Sequence, residues 1–198
     1  MAASLILVVC CGTYIYSYLL RRKVMKLLLG LGNKARHGKD TAASAIKDWF
    51  EDSDYEVRIF KFAEALYEEC RQKHSMVGKD TALLQRIGSE RRKENPDYWV
   101  DQVAYQLEDY KGIAIISDVR YGNEADWIHS MGGYVVNVSR LNPDGSLYVA
   151  TDRDPNHLSE VALDGYVWDG YIKAYSGEEA LLGDLAVTYA EHFLALSE

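Results

Sequence analysis

The sequence predicts an α/β protein whose mostly parallel, five-stranded sheet is covered by helices on both faces, a three-layer sandwich. Three observations carry this prediction. Short apolar runs alternate along the chain with longer helical patterns, as in repeated strand–helix units. The run Ile113-Ala114-Ile115-Ile116 is apolar without a break, as a central parallel strand should be. The 198 residues are enough for one domain with a substantial core.

The predicted elements follow from these patterns. The strand candidates are Lys26–Leu31, Glu56–Phe60, Gly112–Ser117, Tyr134–Val138 and Gly170–Ala174. The helix candidates are Lys39–Phe50, Ala63–Lys73, Ala82–Arg92, Tyr98–Asp109, Glu124–Met131, His157–Leu163 and Glu178–Leu196. The last helix has an apolar face, which we expect to pack on the sheet of its own chain. The alternative is that this face forms a homodimer.

Composition and charge narrow the possible partners. The net charge is -8 and the isoelectric point is about 5.2. Nucleic-acid affinity depends mainly on contacts between basic side chains and phosphates, which a protein with this negative charge makes poorly. We therefore expect no nucleic-acid partner. The cysteines Cys10, Cys11 and Cys70 have neither a metal-ligand spacing nor a disulfide pattern, which indicates a reducing, cytoplasmic setting.

Residues 1–24 form an apolar leader ahead of the domain predicted at residues 25–198. Ala2 to Leu20 carries no charge and is followed by Arg21-Arg22-Lys23, so by length it could anchor the protein in a membrane with the globular part in the cytoplasm. Alternatively, Met25 is the true start, because strand, loop and helix begin directly after it. Membrane contact is expected only under the first interpretation.

The stretch from Leu27 to Ala43 predicts a phosphate-binding loop, or P-loop. It reads as an apolar strand, a tight turn and a helix start, with Gly38-Lys39 at the turn. Backbone N–H groups at a helix start lack partners, the helix dipole adds positive potential, and the lysine adds a cation. The expected ATP-binding residues are Asn33, Lys34, Ala35, Arg36, His37, Gly38, Lys39, Asp40 and Thr41.

Two positions depart from the usual P-loop pattern. Asn33 replaces the first glycine, and asparagine tolerates a left-handed backbone better than most residues. Asp40 replaces the Ser or Thr whose hydroxyl meets Mg²⁺, but Thr41 offers a hydroxyl one position later. The tetrapeptide Gly78-Lys79-Asp80-Thr81 repeats the same letters without a preceding strand, so we interpret it as an ordinary loop.

Asp118 and Arg120 follow the predicted central strand. Ligands of parallel sheets bind at the carboxyl ends of the strands, where the P-loop also lies. A carboxylate there can hold Mg²⁺ or its waters, and an arginine can bind a phosphate through two hydrogen bonds. A salt-bridged pair without function is the alternative. Asn123 is expected to cap the next helix.

Two further segments are candidates on weaker patterns. The helix block from Gln85 to Arg92 and the aromatic Tyr98-Trp99 suit a phosphate and a stacked base, although most such faces are only solvated. The polar segment 140–155, bracketed by Arg140 and Arg153, suits a mobile flap that excludes water, or an ordinary long loop. Asp154-Pro155 is expected to begin a helix.

Taken together, the motifs resemble those of the phage-type deoxynucleoside monophosphate kinases of the P-loop NMP-kinase superfamily, over nearly all of residues 25–196. The matching segments, in order, are Gly38-Lys39-Asp40-Thr41, Phe60-Lys61-Phe62-Ala63, Leu84-Gln85-Arg86-Ile87-Gly88-Ser89-Glu90, Tyr98-Trp99-Val100, Ser117-Asp118-Val119-Arg120-Tyr121-Gly122-Asn123-Glu124-Ala125-Asp126 and His157-Leu158-Ser159-Glu160. Each match is weak alone, but their order and spacing are specific. Gly-Lys-Asp-Thr is the ordinary form of the loop in that family.

The resemblance implies a P-loop NTPase fold and ATP- and Mg²⁺-dependent phosphorylation of deoxynucleoside monophosphates, with small nucleotides as partners. It implies catalytic roles for Lys39, Asp118, Arg120, Arg140 and Arg153. Metal contacts are expected from Asp40, Thr41 and Asp118. The implied substrate-binding residues are Lys61, Phe62, Ala63, Gln85, Arg91, Trp99 and Arg120. Two other readings stay open: a P-loop kinase of another small phosphorylated acceptor such as dephospho-coenzyme A, and a membrane-tethered nucleotide-binding module.

Overall fold

A single parallel sheet forms the centre of the protein. The computed structural model describes residues 25–197, and the predicted leader lies outside the described residues. The strands are β1 Leu27–Gly32, β2 Val57–Phe60, β3 Ile113–Val119, β4 Tyr134–Leu141 and β5 Gly170–Tyr175. Their spatial order is β2-β3-β1-β4-β5, and each neighbouring pair is parallel. The predicted mostly parallel sheet is therefore fully parallel among the described strands.

Strand β1 lies at the centre of the sheet, with β3 on one side and β4 on the other. All six of its residues are buried. Two of them are glycines because neighbouring side chains leave no space: a Cβ on Gly30 would lie 2.6 Å from Cδ1 of Ile128, and one on Gly32 would lie 2.5 Å from the ring of Trp168. The strand that leads into the predicted P-loop is thus held firmly on both faces.

Seven helices surround this sheet in the described part of the chain. They are α1 Lys39–Trp49, α2 Phe62–His74, α3 Thr81–Glu94, α4 Tyr98–Gln106, α5 Gly122–Ser130, α6 Leu158–Val161 and α7 Glu179–Ser197. Within residues 25–197, none of them combines the length and the apolar character that crossing a bilayer requires.

Two predicted helix starts are wrong. Helix α5 begins at Gly122, so Asn123 lies inside its first turn, where its amide donates to the carbonyl of Pro96 at 3.0 Å and does not cap the helix. Asp154 does not begin a helix either, because its carboxylate accepts the N–H of Asn156 at 2.9 Å and closes a turn. Helix α6 instead starts after His157, whose Nδ1 accepts the N–H of Ser159 at 3.2 Å.

The core has two layers, one on each face of the sheet. Helices α1 and α7 cover one face, where Ile46 and Phe193 pack with Leu29 and Ile115. The other face is covered by α4 and α5 with the first residue of α2, and its core residues include Phe62, Trp99, Val103, Ile116 and Ile128. A third, smaller cluster joins α2 to α3 through Cys70, Met76, Leu84 and Ile87. Helix α3 is thereby held away from the sheet, and a cleft lies between α3 and the loop that follows β1.

Candidate active site at the phosphate loop

The turn between β1 and α1 has the backbone of a phosphate-binding loop. Gly38 precedes α1 with φ +89° and accepts the N–H of Ala42 at 2.9 Å, so the helix begins directly at Lys39. Asn33 has φ +107° and Arg36 has φ +64°, both in the left-handed region that side chains rarely adopt. The prediction that Asn33 takes the glycine conformation is confirmed.

The Asn33 side chain explains how an asparagine holds this position. Its amide nitrogen donates to Ser139 Oγ at 2.8 Å, to Asn137 Oδ1 at 3.2 Å and to the carbonyl of Val138 at 3.2 Å. These bonds join the first residue of the loop to the middle of β4. A strained backbone persists only where its surroundings fix it, and this amide supplies such a restraint.

Lys39 is buried at the base of the loop. Its ammonium donates to the backbone carbonyl of Asn33 at 2.9 Å and to that of Lys34. Burial, with the nearby charge of Arg120 adding to it, lowers the pKa of Lys39 to about 7. A bound phosphate would supply the negative charge that restores the protonated form. The loop therefore positions the Lys39 ammonium where a bound anion could contact it.

Three oxygen-bearing side chains line the cavity beside the loop and fit the predicted Mg²⁺ contacts: Asp40, Thr41 and Asp118. Asp40 Oδ1 accepts from Lys61 Nζ at 2.7 Å and from Ser117 Oγ at 3.1 Å. Burial disfavours the charge on Asp40, but Lys61 and Ser117 outweigh it and hold the pKa below its usual value. Carboxylate and hydroxyl oxygens are the donors that Mg²⁺ takes, with phosphate and water completing its shell.

Asp118 has a second task that sequence reasoning did not identify. Its Oδ1 accepts the N–H of Phe62 at 2.9 Å and its Oδ2 accepts the N–H of Ala63 at 2.9 Å. The carboxylate thus caps α2 from the end of β3. Burial raises its pKa, and the two N–H donors work against that rise. Each oxygen of a carboxylate has a second lone pair, so this cap is compatible with a metal-bound water.

Two cavities adjoin at the loop. The first, of about 440 Å³, lies over Gly38 and Lys39 and extends to Arg140, Ser176 and the start of α7. The second, of about 290 Å³, lies between the loop and helices α2, α3 and α4. Residues common to both linings are Arg36, Asp40, Ala63, Tyr67, Asp118 and Arg120. A group bound in one cavity can therefore meet a group bound in the other.

The structure brings most of the other predicted catalytic, ATP-binding and substrate-binding residues to these cavities. Lys61 and Arg140 line the first, and Ala35, Phe62, Gln85, Trp99 and Arg153 line the second. Arg140 also lies over the ring of Tyr148 at 4.4 Å and donates to Ser176 Oγ at 2.7 Å. The loop residues Asn33 and Lys34 lie outside both linings and make structural contacts.

The expectation for Arg91 is corrected. Its guanidinium pairs with the buried carboxylate of Glu69 and with Glu94 at 3.1 Å, and it lies over the ring of Tyr98. Its neighbour Arg92 instead lines the second cavity, pairs with Glu124 at 3.1 Å and lies 3.9 Å from the ring centre of Tyr121. Consecutive helix positions point about 100° apart, so adjacent arginines cannot share one face.

The segment 148–164 contacts four consecutive loop residues. Lys34 Nζ donates to the carbonyl of Glu160 at 2.7 Å, and the N–H of Ala35 donates to Glu160 Oε2 at 2.8 Å. Arg36 pairs with Asp152 at 2.8 Å, and His37 Nε2 lies 3.0 Å from the carbonyl of Tyr148. Burial lowers the pKa of His37, because it disfavours the charged form of the ring. Of these contacts, those of Tyr148 and Asp152 belong to the predicted flap 140–155, which is thus fastened to the loop.

Sequence reasoning missed several residues that the structure places at the site. Tyr67 lines both cavities, and Glu160 lies buried behind Arg120 and Arg153. A helical wheel of α2 would have found Tyr67, which follows Ala63 by four positions and shares its face. Glu160 carries no local signal beyond its place in the His-Leu-Ser-Glu segment, because its partners are 7 to 125 residues away in the chain.

The strand order β2-β3-β1-β4-β5 and the loop after β1 define the fold class as that of the P-loop NTPases. No family model and no curated protein matches this chain. Among solved structures it is similar to APE1195, with 16% identity, a TM-score of 0.44, and coverage of 86% of this chain and 95% of that chain. It is also similar to Mycobacterium tuberculosis APS kinase CysC in complex with AMPPNP and APS, with 12% identity, a TM-score of 0.47, and coverage of 83% and 95%.

Proposed function

We propose that the protein transfers the γ-phosphoryl group of ATP to the phosphate of a deoxynucleoside monophosphate and releases the diphosphate and ADP. The observation that carries this proposal is the pair of cavities that adjoin at the P-loop and share Asp118 and Arg120. Transfer between two bound molecules requires two sites that meet at the transferred phosphoryl group, so that the attacking and leaving oxygens lie in line.

The first cavity suits the donor nucleotide. The backbone N–H groups at the start of α1 and the ammonium of Lys39 would hold the β- and γ-phosphates. The oxygens of Asp40, Thr41 and Asp118 would hold Mg²⁺ or its waters, and the ion, when bound, neutralises charge on the phosphates. Arg140 lies on the opposite wall, where it can meet the phosphates.

The second cavity suits a nucleoside monophosphate. Phe62, Tyr67 and Trp99 form aromatic walls for a base, and the Gln85 amide can donate to and accept from a base edge. Arg92, Arg120 and Arg153 line the same cavity and match a phosphate through their planar donors. No covalent intermediate is needed, because phosphoryl transfer depends on positioning and charge stabilisation.

The test is ADP release from the full chain with ATP, Mg²⁺ and each common deoxynucleoside or nucleoside monophosphate in turn. Dephospho-coenzyme A and APS complete the panel as other phosphorylated acceptors. We expect turnover that depends on one or more monophosphates. Lys39→Ala should lower kcat by at least about 100-fold, since it removes a charge aimed at the transferred group.

The matched control is Lys47→Ala, on the exposed last turn of the same helix, which should retain full turnover. Turnover confined to dephospho-coenzyme A or APS would overturn the proposed acceptor class and retain a kinase. Full turnover by a folded Lys39→Ala protein would overturn the role of the P-loop.

A further inference from the structure

One buried carboxylate joins the P-loop to two arginines of the second cavity. Glu160 Oε2 accepts the N–H of Ala35 at 2.8 Å, and its Oε1 accepts from Arg120 Nη1 at 2.6 Å. Arg153 Nη1 lies 3.5 Å from the same Oε1. The Glu160 side chain is 5% exposed, whereas both arginines face the cavity.

These contacts make the carboxylate the common anchor of three groups. A buried charge is tolerated only when it is paired and hydrogen-bonded, and each Glu160 oxygen has a partner. The backbone of Glu160 is also fixed, because its carbonyl accepts from Lys34 Nζ at 2.7 Å. A shift of this one side chain would therefore move the arginines relative to the loop.

The two arginines keep donors for a ligand. A guanidinium carries five N–H groups, and Arg120 meets Glu160 and the carbonyl of Ser159 through Nη1. Arg153 meets Asp152 through Nε at 3.1 Å and Nη2 at 3.4 Å, and it meets Glu160 through Nη1, so the second N–H of each Nη remains for a ligand. Both guanidiniums are oriented in advance, which is the arrangement that stabilises charge in a transition state.

We propose that Glu160 is a positioning residue for phosphoryl transfer, which holds Arg120 and Arg153 in register with the P-loop. This inference rests on the proposed function, because the arginines must act on a phosphoryl group. Glu160 touches no substrate and acts through the arginines. Its loss should therefore impair kcat much more than nucleotide binding.

The first experiment compares Glu160→Gln with Asp164→Asn. Asp164 is a matched control because it ties the same segment to the same loop through an exposed ion pair with Lys34 at 2.8 Å. We expect Glu160→Gln to lower kcat by about 100-fold while the Kd for ADP changes less than about threefold. Asp164→Asn should leave kcat within about twofold. Glu160→Asp should recover part of the loss, because it restores the charge on a shorter side chain.

A mutant cycle with the variant Arg120→Ala/Arg153→Ala separates positioning from a general structural role. Because Glu160 acts through both arginines, adding Glu160→Gln to this variant should leave its kcat within about threefold. A further loss that multiplies in the combined variant, or a Glu160→Gln protein with full kcat, would overturn the proposal.

Amide hydrogen exchange at Ala35 tests the anchor without any assumption about the substrate. Exchange should be slow in the unaltered protein and in Asp164→Asn, and faster in Glu160→Gln. Equal exchange in all three proteins would overturn the anchor. If the anchor is observed but no monophosphate supports turnover, it is the proposed function that fails, and the positioning role in transfer fails with it.

Discussion

At the scale of single residues, the ammonium of Lys39 is held by two backbone carbonyls of the loop it serves, those of Asn33 and Lys34. These carbonyls keep the lysine in place before any anion arrives. Because burial lowers its pKa to about 7, its positive charge is partly lost near neutral pH in the free protein. Nucleotide binding should then take up a proton.

This linkage predicts a pH dependence for ADP affinity. Above pH 7 the free protein has lost the Lys39 proton, whereas the bound phosphate raises the pKa and retains it. The affinity should therefore fall as pH rises, by up to about tenfold per pH unit. Calorimetric titration with ADP between pH 6.5 and 9 measures this. Lys39→Met should bind more weakly and follow only the ionisation of ADP itself, and equal slopes for the two proteins would contradict the prediction.

Residue patterns predicted part of this chemistry. The positive φ of Asn33 and the cluster of Lys39, Asp118 and Arg120 follow from the strand–loop–helix pattern and from the rule for strand ends. The sequence did not show whether Arg91 or Arg92 lines the cavity, because an arginine-rich helix gives no sign of which arginine is paired by residues from other elements. Glu69 decides it by pairing with Arg91.

At the scale of elements, the cap of α2 links stability to the site. The side chain of Lys61, the N-cap residue of α2, makes no capping hydrogen bond. The carboxylate of Asp118, on β3, instead accepts two of the first N–H groups of the helix. The strand that carries the candidate metal ligand therefore also fixes the helix that lines both cavities. Sequence periodicity places each element, but it cannot show a cap that comes from 55 residues away.

Asp118→Ala should reduce both stability and activity. Loss of two hydrogen bonds to a buried carboxylate should cost about 1 to 3 kcal/mol in the free energy of unfolding. Asp80→Ala is the matched comparison, because Asp80 caps α3 by accepting the N–H of Leu83 at 2.9 Å at an exposed site. Urea unfolding and kcat should show both losses for Asp118→Ala but only the loss of stability for Asp80→Ala. Normal kcat in Asp118→Ala would exclude the metal and catalytic role.

At the scale of the whole molecule, α7 completes the layer that supports β1 and α1. Phe193 is 4% exposed, and its ring stacks on Tyr134 of β4 with centroids 4.2 Å apart. The apolar face expected from the sequence therefore packs on its own sheet, with Leu182, Phe193 and Leu194 buried in one cluster with residues of the sheet. Its last residues also carry exposed apolar side chains, such as Leu196 at 60%.

Phe193→Ala should cost about 3 to 5 kcal/mol in the free energy of unfolding, because it leaves a cavity between α7 and the sheet. Leu196→Ala, three positions on and exposed, should cost less than about 1 kcal/mol. Urea denaturation followed by circular dichroism measures both values. Equal costs would show that α7 does not support the core as described.

The fold class and the two layers were predictable because alternating apolar runs and helical periods report burial directly. The extent of α6 was not, because its four residues are held by tertiary contacts of Glu160 rather than by a helical pattern. The contacts between segment 148–164 and the loop could not be predicted from the sequence for the same reason. Contacts between distant residues leave no period in the sequence.

The central place of β1 affects how the chain is made. Its leucine-rich strand leaves the ribosome before the other strands, but its partners β3 and β4 begin 86 and 107 residues after β1 begins, at Ile113 and Tyr134. At synthesis rates of about 5 to 20 residues per second, β1 waits roughly 5 to 20 s before both neighbours exist. During that time an apolar strand with two open edges is exposed. The nascent chain should therefore depend on chaperones until β4 has emerged.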